Sequence, residues 1–374
     1  MTIVQVDLAD RKQVREFVDL PYQIYRECPQ WVPPLAADEQ LRLNPKRYPY
    51  YRHSAAAFFL AYVSGRPAGR LAVLDHRLYN EYHHEKTAFF YLFECEPDGG
   101  LASELFTRAF QWAGARGLDK MVGPKGFTAL DGLGLLVKGF EHRPAFGIPY
   151  NLPYYPDLVE GLGFQRAAEI LSGYLSPEGP FPERITLLAE RLRERRDLAI
   201  AHFRTRRELR SMLLHLKDLY NAALEGTEGG IPITEAEVRS LADQMLWFAD
   251  PSLIKMVMKA DDPVGFLLAY PDISGALQKT QGRLLPLGWI TILHELRATE
   301  WININGAGML PPYRGSGGTA VLYSEMFKSV KARPRTRHVE VVQIGVENTQ
   351  MQRELSNFGI EFYKVHRTYQ RPLN

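Results

Sequence analysis

The sequence predicts an α/β protein built from two diverged copies of one order of strands and helices, and three observations predict it. A hairpin pattern occurs twice, as FFLAYVSGRPAGRLAVLD at 58–75 and IKMVMKADDPVGFLLAYPD at 254–272. A helix, a glycine and a strand close each copy, as LVEGLGFQRAAEILSGYLS at 158–176 and RELSNFGIEFYKVHRTYQR at 353–371. The matching glycines share one offset, 265 − 69 = 196 and 359 − 163 = 196, so the two features repeat as a unit. Finally, an apolar strand, a glycine-rich loop and an amphipathic helix follow one another through 301–331.

In each hairpin an apolar run meets a polar turn, then Pro-x-Gly opens a second apolar run. The first copy continues with a strand in KTAFFYLFECE, a helix in LASELFTRAFQWAGA and a strand in KMVGP. That helix places Ala102, Leu105, Phe106, Ala109, Trp112 and Ala113 on one stripe, the pattern of a core-facing helix. A long segment rich in Gly, Pro and aromatics follows, GFTALDGLGLLVKGFEHRPAFGIPYNLPYY. SPEGPFPERI suits neither helix nor strand and reads as a linker, which sets the expected domains at 1–178 and 179–374.

The second copy carries its extra residues earlier, in DISGALQKTQGRLLPLGWITILHELRA. Strand WININGAGML, loop PPYRGSGG, helix TAVLYSEMFKSVK and strand HVEVVQIGV then follow, with Tyr323, Met326, Phe327 and Val330 as the apolar stripe of the helix.

Composition excludes several classes. The 45 basic and 43 acidic residues leave a formal charge of +2, which gives no general pull toward nucleic acid or an anionic membrane. Two cysteines, Cys28 and Cys95, build neither a disulfide framework nor a cysteine zinc site, and no metal is expected. There is no signal-peptide run at the N-terminus and no apolar run of spanning length, so the expectation is a soluble cytoplasmic protein with no membrane partner. The basic stretch LRERRDLAIAHFRTRRELR is interleaved with Glu194, Asp197 and Glu208 and reads as a solvated helix and strand edge.

The loop carries the chemistry. Arg314, Gly315, Ser316, Gly317, Gly318 and Thr319 link an apolar strand to the start of a helix. Backbone N–H groups there are unpaired and partly positive, and glycines let a phosphate approach. Such a place attracts phosphate oxygens, although a tight turn with no ligand has the same composition. A Walker loop is excluded because no Gly-Lys-Ser/Thr is present.

At these residues the chain resembles the GCN5-related N-acetyltransferase (GNAT) superfamily, whose phosphate loop often reads Pro-x-Tyr-Arg-Gly-x-Gly. Pro311-Pro312-Tyr313-Arg314-Gly315-Ser316-Gly317 matches it, with Thr319 at a position where the family has Gly or Ala. Asn348 through Gly359 is similar to the family's helix after the fifth strand. The resemblance implies two tandem α/β domains, each a mostly antiparallel sheet with flanking helices. It implies an acyl-CoA-dependent N-acyltransferase, most simply acetyl, acting on a small-molecule or peptide amine. Acetyl-CoA or another acyl-CoA would bind the second half through the loop, through Met309 and Leu310 at the end of a splayed strand, and near Asn348.

A base must take a proton from the acceptor ammonium, whose pKa is ~10.4 for a lysine-like amine. The family often uses a glutamate on or near the fourth strand, which makes Glu300 the candidate; a solvated strand-entry residue fits Glu300 as well. The family's frequent tyrosine acid is replaced by Leu355, and this departure motivates the alternative of a non-enzymatic acyl-CoA-binding or regulatory module. In the first half, Cys95-Glu96-Pro97-Asp98-Gly99-Gly100 replaces the loop and adds two carboxylates, so that half is expected to be degenerate.

Overall fold

In the computed structural model, residues 1–128, 131–179, 182–223, 230–246, 248–314 and 317–373 are described. The chain folds as two compact units, one of Met1–Ile170, Ser274–Trp289 and Lys364–Asn374, the other of Leu171–Ile273 and Ile290–Tyr363. Each unit therefore takes in residues from both sides of position 178, where the sequence reading divides the domains.

The first half runs β1 (Thr2–Gln5), α1 (Arg11–Ile24), α2 (Ala36–Arg42), β2 (Ala55–Val63), β3 (Arg66–Asp75), α3 (Arg77–His83), β4 (Thr87–Cys95), α4 (Gly99–Gly114), β5 (Lys120–Gly123), β6 (Leu135–Lys138), α5 (Tyr155–Gly161) and β7 (Gln165–Leu175). Strands β1 to β4 pair antiparallel in order, and β5 joins β4 in parallel. Helix α4 lays Leu105, Phe106 and Ala109 on the sheet, where Phe90 meets Phe106 edge-on at 5.2 Å. Trp112, expected on that stripe, is only half-buried.

The second half runs α6 (Glu183–Arg196), β8 (Leu198–Ala201), α7 (Arg206–Ala222), α8 (Glu235–Met245), β9 (Ile254–Lys259), β10 (Asp262–Pro271), α9 (Ser274–Thr280), α10 (Gly288–Ala298), β11 (Trp301–Met309), α11 (Gly318–Lys331), β12 (His338–Gly345), α12 (Thr349–Asn357) and β13 (Glu361–Pro372). Strands β8 to β11 are antiparallel, and β12 joins β11 in parallel. Val321, Met326 and Val330 of α11 and Leu355 of α12 bury against Ile302, Ile304, Val339 and Val341. The end of β13 leaves this half: Tyr369–Pro372 pair with β5 in the first unit.

The internal repeat holds down to single registers. Gly69 faces Cys95 across β3 and β4, and Gly265 faces Met309 across β10 and β11. A Cβ on Gly265 would stand 2.6 Å from the end of the Met309 side chain, which lies across the strand over this glycine and would have to swing aside for a larger residue. Gly163 and Gly359 follow α5 and α12 at φ 81° and 89°, the left-handed helix stop read from the sequence. Each half also bulges its fourth strand, near Leu92 (φ 49°) and near Gly306 (φ 110°).

Candidate functional site

The second unit contains a fork. Strand β11 pairs with β12 only from Trp301 to Ile304, opposite His338 to Val341, although the strands run on to Met309 and Gly345. Where the ladder stops, Gly306 is bulged and Gln343 on β12 is left-handed at φ 62°. A left-handed non-glycine residue costs energy, and such strain collects at working sites. Side chains take over from the ladder at the apex: Gln343 Nε2 donates to Asn305 Oδ1 at 3.2 Å, and Asn305 Nδ2 donates to the Tyr270 hydroxyl at 3.2 Å.

Beyond the apex, backbone direction follows from strand alternation. The Leu310 N–H donates to Val264 O at 2.9 Å, so Leu310 faces β10. Met309 and Ala307 then aim their backbone groups into the widening gap. The Met309 carbonyl fits this, because it accepts Arg314 Nε at 3.0 Å. The other end of the Arg314 guanidinium donates to Ala223 O at 2.6 Å. This arginine ties the loop to the strand end.

The loop closes the fork at that same end of β11. Pro311–Tyr313 make one tight turn, and Gly317 at φ 89° starts α11. Gly315 and Ser316 lie outside the described residues. Among the described residues no side chain caps α11, and its first turn holds no acidic residue. Its first helical bond runs from Val321 N–H to Gly317 O, so the amides of Gly318, Thr319 and Ala320 have no helical acceptor. A pyrophosphate fits such a terminus, and the adjoining strand edge fits an extended pantetheine arm.

The first half shows what happens without this loop. Three residues separate β4 from α4, whereas eight separate β11 from α11. Asp98 Oδ1 accepts from Gly100 N–H at 2.8 Å and Leu101 N–H at 3.1 Å. The α4 terminus thus already holds an anion of the protein's own.

A buried polar face leads to the fork, and no contiguous motif in the sequence marks it. Asn303 is fully buried, lies opposite both Tyr270 and Glu340 in register, and donates to Asp272 Oδ1 at 2.9 Å. Its own Oδ1 is buried with no hydrogen-bond partner among the described residues. Asp272 and Glu340 are buried carboxylates on this face. Burial, then the charge of Glu340, holds the Tyr363 phenol above its ordinary pKa; burial does the same for Tyr270, so both stay protonated. At the far end Trp301 stacks on His338 at 4.4 Å, and the Tyr174 hydroxyl is 2.9 Å from His338 Nδ1. The alternation in WININ was the available signal, because it puts Trp301, Asn303 and Asn305 opposite the core-facing isoleucines.

The structure brings Met309, Leu310, Arg314, Gly317, Gly318 and Thr319 together. Asn348 follows β12 and caps α12, accepting from Met351 N–H at 3.1 Å. Glu300 is not brought to them. It is exposed, precedes β11, and receives the Arg337 and His338 amides on its carbonyl. Nine residues of strand rise put it roughly 30 Å from Met309, and five put it ~17 Å from Asn305. Leu355, in place of the family tyrosine, is a fully buried core residue.

No protein-family model matches the chain. Known structures share its fold across its whole length. A tandem GNAT protein from the clavulanic acid biosynthesis pathway superposes with a TM-score of 0.56 at 12% identity, covering 100% of this chain and 98% of its own. A GCN5-related N-acetyltransferase from Sphaerobacter thermophilus gives 0.52 at 14% identity, with 100% and 96% covered. The fold is that of the tandem GNAT proteins. Among curated proteins the chain is similar to Protein YghO of Escherichia coli, 24% identical over 97% of this chain and 94% of that one. It is also similar to a bacterial ceramide synthase of Caulobacter vibrioides, 26% identical over 96% and 95%.

Proposed function

We propose that the protein is an acyl-CoA-dependent N-acyltransferase whose acyl-CoA lies in the second unit. One observation carries the reading: a helix terminus that no described side chain caps and an unzipped strand edge meet at the same end of β11. The amides of Gly318, Thr319 and Ala320 take the pyrophosphate. Arg314 keeps the loop against Met309. The backbone of Ala307 and Met309 pairs with the pantetheine arm, and the thioester comes to the apex beside Asn305 and Gly306. A strand N–H at the apex steadies the oxyanion as the amine nitrogen bonds the carbonyl carbon; the carbon–sulfur bond then breaks and CoA leaves as thiolate.

The amine reaches the apex along the buried polar face. Glu340 lies opposite Asn303, two residues or ~7 Å of strand from Asn305, and takes the ammonium proton in this reading. Exposed Glu300 is left as a strand-entry residue.

The ceramide synthase relative supplies a candidate acceptor class. Ceramide is the amide of a fatty acid and a long-chain amino alcohol, which makes a long-chain amine and a fatty acyl-CoA the substrates to try first. The test is amide formation, read by mass spectrometry, with acyl-CoAs from acetyl to palmitoyl against short and long amines. An amide with any pair supports the reading. Tight CoA binding with no amide from any pair would instead make the protein a non-enzymatic acyl-CoA binder, the reading that Leu355 in place of tyrosine favours.

A further inference from the structure

The connection from β10 to β11 has 301 − 271 − 1 = 29 residues, against 87 − 75 − 1 = 11 from β3 to β4. The added chain holds α9, α10 and the stretch between them. Ten large apolar side chains are exposed among the described residues, and five of them fall within nine residues here: Leu285 (79% exposed), Leu287 (65%), Trp289 (46%), Ile290 (48%) and Leu293 (39%). Such crowding is unlike the single surface leucines that need no explanation.

The exposed face of α10 has two ends. Trp289, Ile290 and Leu293 occupy its N-terminal end and His294 and Arg297 its C-terminal end, while Ile292 points inward and is fully buried. Lys279 and Arg283 precede the patch and are exposed. Between 279 and 298 the only acidic residue is Glu295, so the stretch carries 3 − 1 = +2.

We propose that this continuous stretch is a membrane-docking element. Leu285, Leu287, Trp289, Ile290 and Leu293 enter the boundary between headgroups and acyl chains, while Arg283 and Arg297 meet anionic headgroups. Tryptophan with aliphatic neighbours on one helical face, flanked by arginines, is the composition of an interfacial anchor. The basic flank fits an anionic bilayer and repels a second copy of this same basic stretch, while tryptophan beside aliphatic side chains is the mark of a lipid interface. No helix among the described residues is long and apolar enough to cross a membrane, so the contact is peripheral. The sequence expectation of no membrane partner rested on net charge and on spanning runs, and neither measure registers five exposed apolar side chains within nine residues. The stretch leads directly into Trp301 and the polar face of β11, which gives a long-chain amine drawn from a bilayer an approach to the fork. That use rests on the acyltransferase reading, whereas docking itself is measured without turnover.

The test is co-sedimentation of the full chain with vesicles of phosphatidylethanolamine and phosphatidylglycerol, and with neutral phosphatidylcholine vesicles. Binding is expected to the anionic vesicles and to weaken in high salt. The triple variant Leu285→Ser, Leu287→Ser, Trp289→Ser should lose roughly tenfold or more in vesicle affinity, and Arg283→Glu with Arg297→Glu should lose several-fold. The side chains are exposed, so unchanged thermal unfolding confirms an intact fold. Failure of the wild type to bind, or a triple variant that binds equally well, overturns the proposal. So does a wild-type dimer in solution that the triple variant converts to monomer, since a second copy would then cover the patch.

Discussion

Replacing Thr319 by glutamate separates the fold from the phosphate site. Thr319 is the second residue of α11, half-buried, in a first turn that has no acidic residue. A carboxylate there is favourable for the helix by about 0.3–1 kcal/mol, because it faces the positive end of the dipole. For a bound pyrophosphate the same carboxylate is a like charge. At ~5 Å and an effective dielectric of ~40 each pair of unit charges costs roughly 1.7 kcal/mol, so two phosphate charges cost ~3 kcal/mol. That is about two orders of magnitude in Kd. Thr319→Gln has a similar size and no charge, and it should stay within about threefold of wild type. Calorimetric titration with CoA reads the affinity, and thermal unfolding reads the fold. A folded Thr319→Glu protein that binds CoA within about threefold of wild type would refute the site. Gly317 is a poorer target. Its φ is 89°, and a Cβ would come 2.0 Å from Leu192 Cδ1 of α6, so lost binding there would report broken packing as readily as a lost ligand.

Three further outcomes are expected. Glu340→Gln should lower kcat by roughly a hundredfold or more while CoA affinity holds, and should remove the acidic limb of the pH–rate profile; an unchanged profile would move the base elsewhere. The chain should bind one equivalent of CoA, and Asp98→Asn should not add a second, since the amide oxygen still caps α4; a stoichiometry of two in the wild type would contradict the reading of the first half. Burial lowers the pKa of His366 to about 4, with its Nε2 held 3.0 Å from the Pro149 carbonyl oxygen. Between about 4 and 6.5 the unfolded chain then binds the extra proton, so stability is lost as pH falls through that window, by about 2–3 kcal/mol in denaturant titrations, and His366→Gln should flatten the slope.

Much of the fold was legible because it is local. Hairpins, helix stops at Gly163 and Gly359, and the stripe of α11 follow from periodicity and glycine geometry within short windows. The loop was legible for the same reason, since Pro311 to Thr319 is contiguous. What stayed hidden depends on register. Glu340, Asn303 and Tyr270 lie on three strands and become neighbours only when β10, β11 and β12 align. Glu300 looked suitable by its place in the sequence, yet one strand carries it away from the fork. The pairing of Tyr369–Pro372 with β5 was hidden too, because the helix–glycine–strand pattern says nothing of which unit receives the strand.

The two halves also show how one fold copy can gain a binding site while its twin does not. Their fourth strands both bulge, but β5 ends at Gly123, just past its pairing with Thr87–Phe89, and Lys125 N–H still donates to Phe90 O at 3.0 Å, whereas β12 runs on beyond its pairing with β11. The bulge is common to both halves, and the fork between two continuing strands belongs to the second. Around the fourth strand the second half has two insertions relative to the first: 18 residues ahead of it and 8 − 3 = 5 residues after it. The five-residue insertion matters most for an anion. In the first half the short turn places Asp98 at the α4 terminus, and Glu94 fills the space past the bulge, accepting from the Tyr25 and Tyr155 hydroxyls at 2.7 Å each. Gly308 stands where Glu94 does, one residue before the strand position that faces the conserved-offset glycine in each half. A carboxylate and two phenols occupy in one half what the Phe266 ring covers over Gly308 in the other. Freeing the first half for an anion would thus require lengthening the turn so that Asp98 leaves the α4 terminus, and removing Glu94 alone should leave that half without CoA.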